Sequence, residues 1–238
     1  MSYLILVRHG QSEWNLENKF TGWVDVDLTD KGKLEACKSG KLIKEEKLKI
    51  KYFYSSIQKR SINTLKLILD TLRIKDKPIK AWQLNERHYG ALTGLNKDEM
   101  KNKYGEKKIQ EFRRSWNIKP DVLNKNNPYH AINIAAYNDV PRENIPDTES
   151  LEDTYNRVIP FYKENIEKKL NYNENILVVA HGNSIRALCK FLFQLDKEKI
   201  SLLEIPTGNP LMISFDLKNK ITKCKYLDKD RAKNLIAF

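Results

Sequence analysis

The sequence predicts an α/β protein, an open, mostly parallel sheet with helices on both faces, in a single domain over residues 1–238. Three observations carry this expectation. Two short apolar runs, Leu4-Ile5-Leu6-Val7 and Ile176-Leu177-Val178-Val179-Ala180, have the length and composition of strands buried on both faces, and each stops at His-Gly. Segments with apolar residues at helical spacing alternate with such runs, the pattern of crossover units. Neither a repeat nor a low-complexity linker divides the chain.

Each element follows from its residues. The first apolar run has no basic leader before it and no cleavage site after it, so it reads as a strand and not as a signal peptide. Thr29 is placed to cap a helix over 30–46, with Leu34, Cys37 and Ile43 on its core face. Tyr52-Phe53-Tyr54 is a strand. Ser55 or Ser56 then caps a helix whose Ile62, Leu65, Ile68, Leu69 and Leu72 form one apolar stripe, which sets Arg60 near the helix N-terminus. A strand over 79–84 precedes the polar run Asn85 to Gly90 and a short helix over 96–104. Pro120, Pro128, Pro141 and Pro146 interrupt residues 117–147, the mark of an inserted functional loop or lid. Ser150-x-x-Asp153 has capping-box spacing and opens a helix to Leu170 that Pro160 bends. A helix over 184–194, strands over 211–215 and 222–227, and a short tail over 228–238 complete the chain.

Composition narrows the function. Hydrophobic residues are 40% and charged residues 31%, the balance of a globular protein. No apolar stretch approaches the roughly 20 residues that span a bilayer. Lys plus Arg is 43 against 31 Asp plus Glu, a net +12, but the lysines are spread along the chain and no nucleic-acid recognition motif accompanies them. Anion chemistry must therefore rest on placed arginines. Cys37, Cys189 and Cys224 show no C-x-x-C spacing, which argues against a disulfide framework or a zinc site and for a reducing cytoplasm.

In open α/β sheets ligands bind beyond the carboxyl ends of the strands. Both His-Gly pairs stand at such ends, so His9 and His181 are expected to share one crevice. A neutral imidazole is a good nucleophile toward phosphorus, and Arg8, Arg60 and a protonated His181 would supply positive charge to the phosphoryl oxygens without a metal. His181-Gly182-Asn183 also opens a helix, whose free N–H groups would add an anion site.

Leu6-Val7-Arg8-His9-Gly10 resembles the signature of the histidine phosphatase superfamily, and most of the chain is similar to the cofactor-dependent phosphoglycerate mutases. The resemblance runs through Glu13-Trp14-Asn15, Phe20-Thr21-Gly22-Trp23, Leu84 to Leu92, Gly94 to Lys97, Lys103 to Glu106, Arg113-Arg114, Ala180 to Ser184 and Ile205 to Gly208. It implies a phosphoglycerate mutase-like sheet, with His9 as phosphoryl carrier. Arg8, Arg60 and His181 would stabilise the transferring group, and Glu86 would move the substrate hydroxyl proton. Around the phosphoglycerate it places Ser12, Asn15, Thr21, Gly22, Arg60, Tyr89, Lys97, Arg113, Arg114, Gly182 and Asn183.

The implied reaction is the glycolytic and gluconeogenic interconversion of 3-phosphoglycerate and 2-phosphoglycerate. It is primed by 2,3-bisphosphoglycerate, needs no metal, and takes place in the cytoplasm in a chain able to form a homo-oligomer, dimer or tetramer. Small-molecule phosphoglycerates are the expected partners, with neither nucleic acid nor membrane. Rivals are a phosphatase of the same superfamily, in which water replaces the second hydroxyl, and the bisphosphoglycerate-synthesising branch, which usually has Gly where this chain has Ser12. Gln11 stands where the family commonly has Glu. The resemblance implies that relatives usually carry a longer, lysine-bearing tail than the one over 228–238, which leads to the expectation of a bisphosphatase side activity, since water exclusion protects a reactive intermediate.

Overall fold

Six strands form one sheet in the order β3-β2-β4-β1-β5-β6: β1 (Ser2–Arg8), β2 (Ile50–Ser55), β3 (Ile79–Lys80), β4 (Asn175–Ala180), β5 (Leu211–Phe215) and β6 (Ile221–Tyr226). The pairs β1–β4, β4–β2 and β2–β3 are parallel, and β5 alone runs against its neighbours β1 and β6. The helices are α1 (Glu13–Leu16), α2 (Asp30–Glu45), α3 (Lys59–Leu72), α4 (Lys97–Tyr104), α5 (Glu106–Arg114), α6 (Leu151–Phe161), α7 (Lys168–Asn171), α8 (Gly182–Leu192) and α9 (Lys197–Leu202). The computed structural model describes residues 1–232, so the tail residues Lys233 to Phe238 lie outside it.

Alternation along the strands divides the core. Leu4 and Leu6 of β1, with Ile176, Val178 and Ala180 of β4, pack with α6 and α8. Ile5, Val7, Leu177 and Val179 face Ile43 of α2 and Leu65, Ile68 and Leu69 of α3. The sheet is thus covered on both faces, which is why its central strands read as unbroken apolar runs.

Several elements differ from the sequence expectation, each for a tertiary reason. The strand over 79–84 ends at Lys80 and becomes a 3-10 turn over Trp82–Leu84, because Arg157 on α6 draws the carbonyls of Gln83 and Asn85 toward itself. In α2 the buried residues are Gly32, Ala36, Ser39, Gly40 and Ile43, while Leu34 is 72% exposed. A Cβ on Gly40 would lie 2.7 Å from Cβ of Thr71, so small residues there let α2 close on α3. Gln58, not Ser55 or Ser56, stands at the cap of α3, while the Ser56 hydroxyl accepts from the Gln58 N–H at 3.2 Å and meets His181. α6, with Pro160 inside it, passes at Tyr162–Glu167 into a π-helical turn before α7. Helices α1, α5 and α9 were not expected as separate elements.

Residues 117–147 hold three short 3-10 turns and pack down instead of standing open. Tyr137 is buried beside Trp23, Ala131 and Val140, donates to the Trp23 carbonyl, and accepts from Nε2 of Gln58 at 3.0 Å. In the tail, Arg231 turns to the Thr207 carbonyl and Glu35. Among the described residues no helix is long and apolar enough to cross a membrane.

Candidate active site

β1 and β4 are parallel neighbours with Arg8 level with Ala180, so the next residue of each, His9 and His181, must emerge side by side. Their ring centres are 4.9 Å apart. The turn after β1 is pressed against α2: a Cβ on Gly10 would sit 2.2 Å from the Gly32 carbonyl oxygen, and one on Gly32 would sit 2.0 Å from that of Gln11. Nδ1 of His9 lies 2.7 Å from the Gly10 carbonyl. A carbonyl only accepts, so Nδ1 carries the proton and Nε2 keeps its lone pair. Burial, then Arg60 and Arg8, push His9 well below the usual imidazole range, and only the Gly10 hydrogen bond opposes them.

His181 is buried, with Nε2 2.7 Å from the Ser56 hydroxyl. Burial, Arg60 and His9 hold it too well below the usual range. It is therefore neutral near pH 7, contrary to the sequence expectation of a protonated ring. A phosphoryl dianion beside it is the charge that would bring a proton onto it.

Arg60 owes its place to α3 and to the bend at Gly22, whose φ is +55°. Its guanidinium donates to the carbonyls of Val24 at 2.8 Å and Gly22 at 2.9 Å, and to Oε1 of Gln58 at 3.2 Å. Arg8 donates through Nη1 to the Ile205 carbonyl at 2.8 Å, while its buried Nε has no partner among the described residues. Among the described residues neither arginine pairs with a carboxylate, so both charges are available to an anion.

Glu86 stands in the polar run that α6 holds from behind. Arg157 donates to the Gln83, Asn85 and Glu86 carbonyls at 2.7, 3.0 and 3.0 Å, and pairs with the buried Glu149 at 2.6 Å. Glu86 makes no ion pair with Arg87. Its Oε1 accepts from the backbone N–H groups of Arg87 at 2.8 Å and Asn183 at 3.1 Å, so the N–H of Asn183, expected to be free for an anion, is taken by a carboxylate. Arg87 donates to the Arg113 carbonyl and lies over the Tyr89 ring. Burial would raise Tyr89, but Arg87 and Arg113 prevail and its phenol ends below the ordinary value.

These groups line a cavity of about 170 Å³. Arg8, His9, Asn15, Thr21, Gly22, Arg60, Glu86, Tyr89, Lys97, Arg113, Arg114, Gly182 and Asn183 all face it. Ser12 does not: it is buried and caps α1, bonding through its side chain and N–H to Asn15, which does line the wall. His181 is not in the wall itself and lies against His9. No residue of 117–147 contributes to the lining, so that segment supports the site from behind.

Lys97 donates to the Lys19 carbonyl at 2.7 Å, and burial, with Arg113 and Arg8 nearby, lowers it to about 8. Lys19, Arg186, Glu204 and Ile205 also line the cavity and were not among the expected site residues. Arg186 is buried on α8, donates to Oδ1 of Asn183 at 2.9 Å, and is lowered to about 9 by burial, Arg114 and Arg87. Its spacing from Asn183, three residues along one helix, was the one available signal. Among the described residues no three His, Cys, Asp or Glu side chains are grouped to hold a metal ion.

A model of the histidine phosphatase superfamily (branch 1) matches residues 4–126 and 126–224, and the chain belongs to that superfamily. The fold is also that of a mycobacterial glucosyl-3-phosphoglycerate phosphatase in complex with VO3, 19% identical, with a TM-score of 0.71 and coverage of 94% of this chain and 96% of that one. A 2,3-bisphosphoglycerate-dependent phosphoglycerate mutase of Pelagibacter ubique (strain HTCC1062) is 70% identical over 238 residues, 100% of both chains. That of Caulobacter sp. (strain K31) is 48% identical over 100% of this chain and 99% of its own. Within the superfamily, the chain's family is that of the 2,3-bisphosphoglycerate-dependent phosphoglycerate mutases.

Proposed function

We propose that this chain interconverts 3-phosphoglycerate and 2-phosphoglycerate, with His9 as the phosphoryl carrier and 2,3-bisphosphoglycerate as the priming donor. The observation that carries the reading is the His9 ring, tied to Gly10 through Nδ1 and facing an arginine-lined cavity that also holds an open carboxylate oxygen of Glu86. The cavity suits a polyanion: among the described residues the buried Nε atoms of Arg8 and Arg186 have no partner, and Glu86 and Glu204 are the only carboxylates in the wall. When bound, 2,3-bisphosphoglycerate supplies one phosphoryl group.

In this reading His9 starts phosphorylated by the donor, and Glu86 takes the proton from the free hydroxyl of the monophosphate as that oxygen attacks the phosphohistidine, which gives the bisphosphate and frees Nε2 of His9. In the return step Nε2 of His9 attacks the other phosphorus and Glu86 gives the proton back to the departing glycerate oxygen, so that the isomeric monophosphate leaves and phospho-His9 is restored. Arg60 and Arg8 stabilise the equatorial oxygens, and His181 gains a proton from the charge it meets. The chain's own cations carry out the neutralisation, so a metal is not expected. Arg113 and Arg114 suit the glycerate carboxylate, which a guanidinium fork binds in two places. A cytoplasmic setting follows from the glycolytic substrate.

The test is to mix the protein with 3-phosphoglycerate, with and without trace 2,3-bisphosphoglycerate, in the presence of EDTA. The expected product is 2-phosphoglycerate, dependent on the bisphosphate. Release of inorganic phosphate with no 2-phosphoglycerate would favour the phosphatase reading.

A further inference from the structure

Of the two carboxylates that the described residues place in the cavity wall, Glu86 is occupied by the proton transfers and Glu204 by nothing in them. Oε1 of Glu204 pairs with Nη2 of Arg114, one of the two arginines set against the substrate carboxylate. Arg114 does not need this partner to stay in place. Its Nη1 donates to the Leu203 carbonyl at 3.2 Å, and its side chain is 16% exposed against 54% for Glu204. The charge of Glu204 is also felt by the buried Arg186, so one acid faces a cluster of cations that repel one another.

We propose that Glu204 is a built-in counter-ion: it occupies Nη2 of Arg114 until a substrate carboxylate displaces it, and so sets how tightly carboxylate-bearing phosphate esters are held. A guanidinium fork binds one carboxylate in two places, and two carboxylates cannot share it on equal terms. Because Glu204 stands at the solvent edge, swinging out costs it little. The same competition acts on departing product, so it speeds release as much as it weakens capture. The inference rests on the phosphoglycerate reading of the site.

The test compares the full-length protein with Glu204→Gln by calorimetric titration of two ligands that share a phosphate, 3-phosphoglycerate and glycerol 3-phosphate, the latter without a carboxylate. Glu204→Gln is expected to bind 3-phosphoglycerate about two- to five-fold more tightly, the scale of one partly exposed ion pair. The gain should shrink as salt is raised, and glycerol 3-phosphate should bind both proteins alike. Unchanged or weaker 3-phosphoglycerate binding by Glu204→Gln would overturn the proposal, making Glu204 either inert or an orienter of Arg114. An equal gain for glycerol 3-phosphate would overturn it as well, since the effect would then be one of net charge. A selective gain in a protein without mutase turnover would sink the proposed reaction and leave the counter-ion standing, so the two failures are distinct.

Discussion

The His9 and His181 rings face each other at 4.9 Å with their planes 58° apart, and both are held neutral by burial and by Arg60. A neutral His9 is the form that attacks phosphorus. A neutral His181 beside it avoids placing a cation against the nucleophile before an anion arrives. Imidazole proton resonances of both should stay flat through about pH 6.5, where an ordinary histidine titrates. On addition of vanadate the His181 signal should move toward its protonated position. Titration of either ring near 6.5 without a ligand would contradict the arrangement.

His88 makes the same physics visible as stability. Burial, then His130, lowers it to about 3, and its Nδ1 accepts from the Gly90 N–H at 3.0 Å. Between about pH 6.5 and about pH 3 the unfolded chain binds a proton at this ring that the folded chain refuses, so stability present above 6.5 is lost as pH falls through that window. The urea midpoint should drop between about pH 7 and about pH 5. In His88→Asn, whose amide oxygen still accepts from Gly90, the drop should be smaller. An equal drop in both proteins would place the acid sensitivity elsewhere.

The paired strands and the two histidines were legible because strands buried on both faces leave contiguous apolar runs, and the residue after each run is fixed in space by parallel register. What the sequence hid depends on partners distant along the chain. Leu34 fits a core-facing helical stripe, yet Gly40 meets Thr71 and turns α2 so that Leu34 points outward. Ser56 has the composition of a helix cap, but its hydroxyl is drawn 125 residues away to His181. Ser12 reads as a substrate contact and is a helix cap for the neighbour that faces the cavity. Arg186 is spaced like any polar residue of an amphipathic helix, and only the fold shows it buried, with its guanidinium on the carbonyls of Arg114 and Ile200.

Glu86→Gln separates proton transfer from architecture. Oε1 keeps both of its N–H donors in the amide, so the loop should hold its shape. The other atom can no longer take a proton, and transfer to and from the glycerate hydroxyl should slow by about 10²–10⁴-fold, the range of general acid–base residues. Rapid-quench measurement of phospho-His9 formation and decay checks this. Near-normal rates in a folded Glu86→Gln protein would leave the residue a purely structural role.

Arg186 joins stability to substrate affinity. Beyond Asn183, its guanidinium donates to the carbonyls of Ile200 and, at 3.3 Å, Arg114, so it ties α8, α9 and the end of α5 around one buried charge. Asn183 in turn donates through Nδ2 to the Tyr89 hydroxyl at 3.2 Å, and both residues line the cavity. Arg186→Met keeps much of the volume but leaves buried carbonyls without a donor, at a cost of about 1–3 kcal/mol for each unpaired group. Thermal or urea unfolding should show a loss of at least that size. The Asn183 amide, no longer held at Oδ1, should also wander, and KM for 3-phosphoglycerate should rise more than kcat falls, because the residue touches no reacting atom. Arg186→Lys restores a charge but not three directed donors, so it should recover part of the stability and little of the affinity. If Arg186→Met loses stability while KM is unchanged, Asn183 is fixed by Tyr89 alone, and Arg186 is a structural tie with no hold on the substrate.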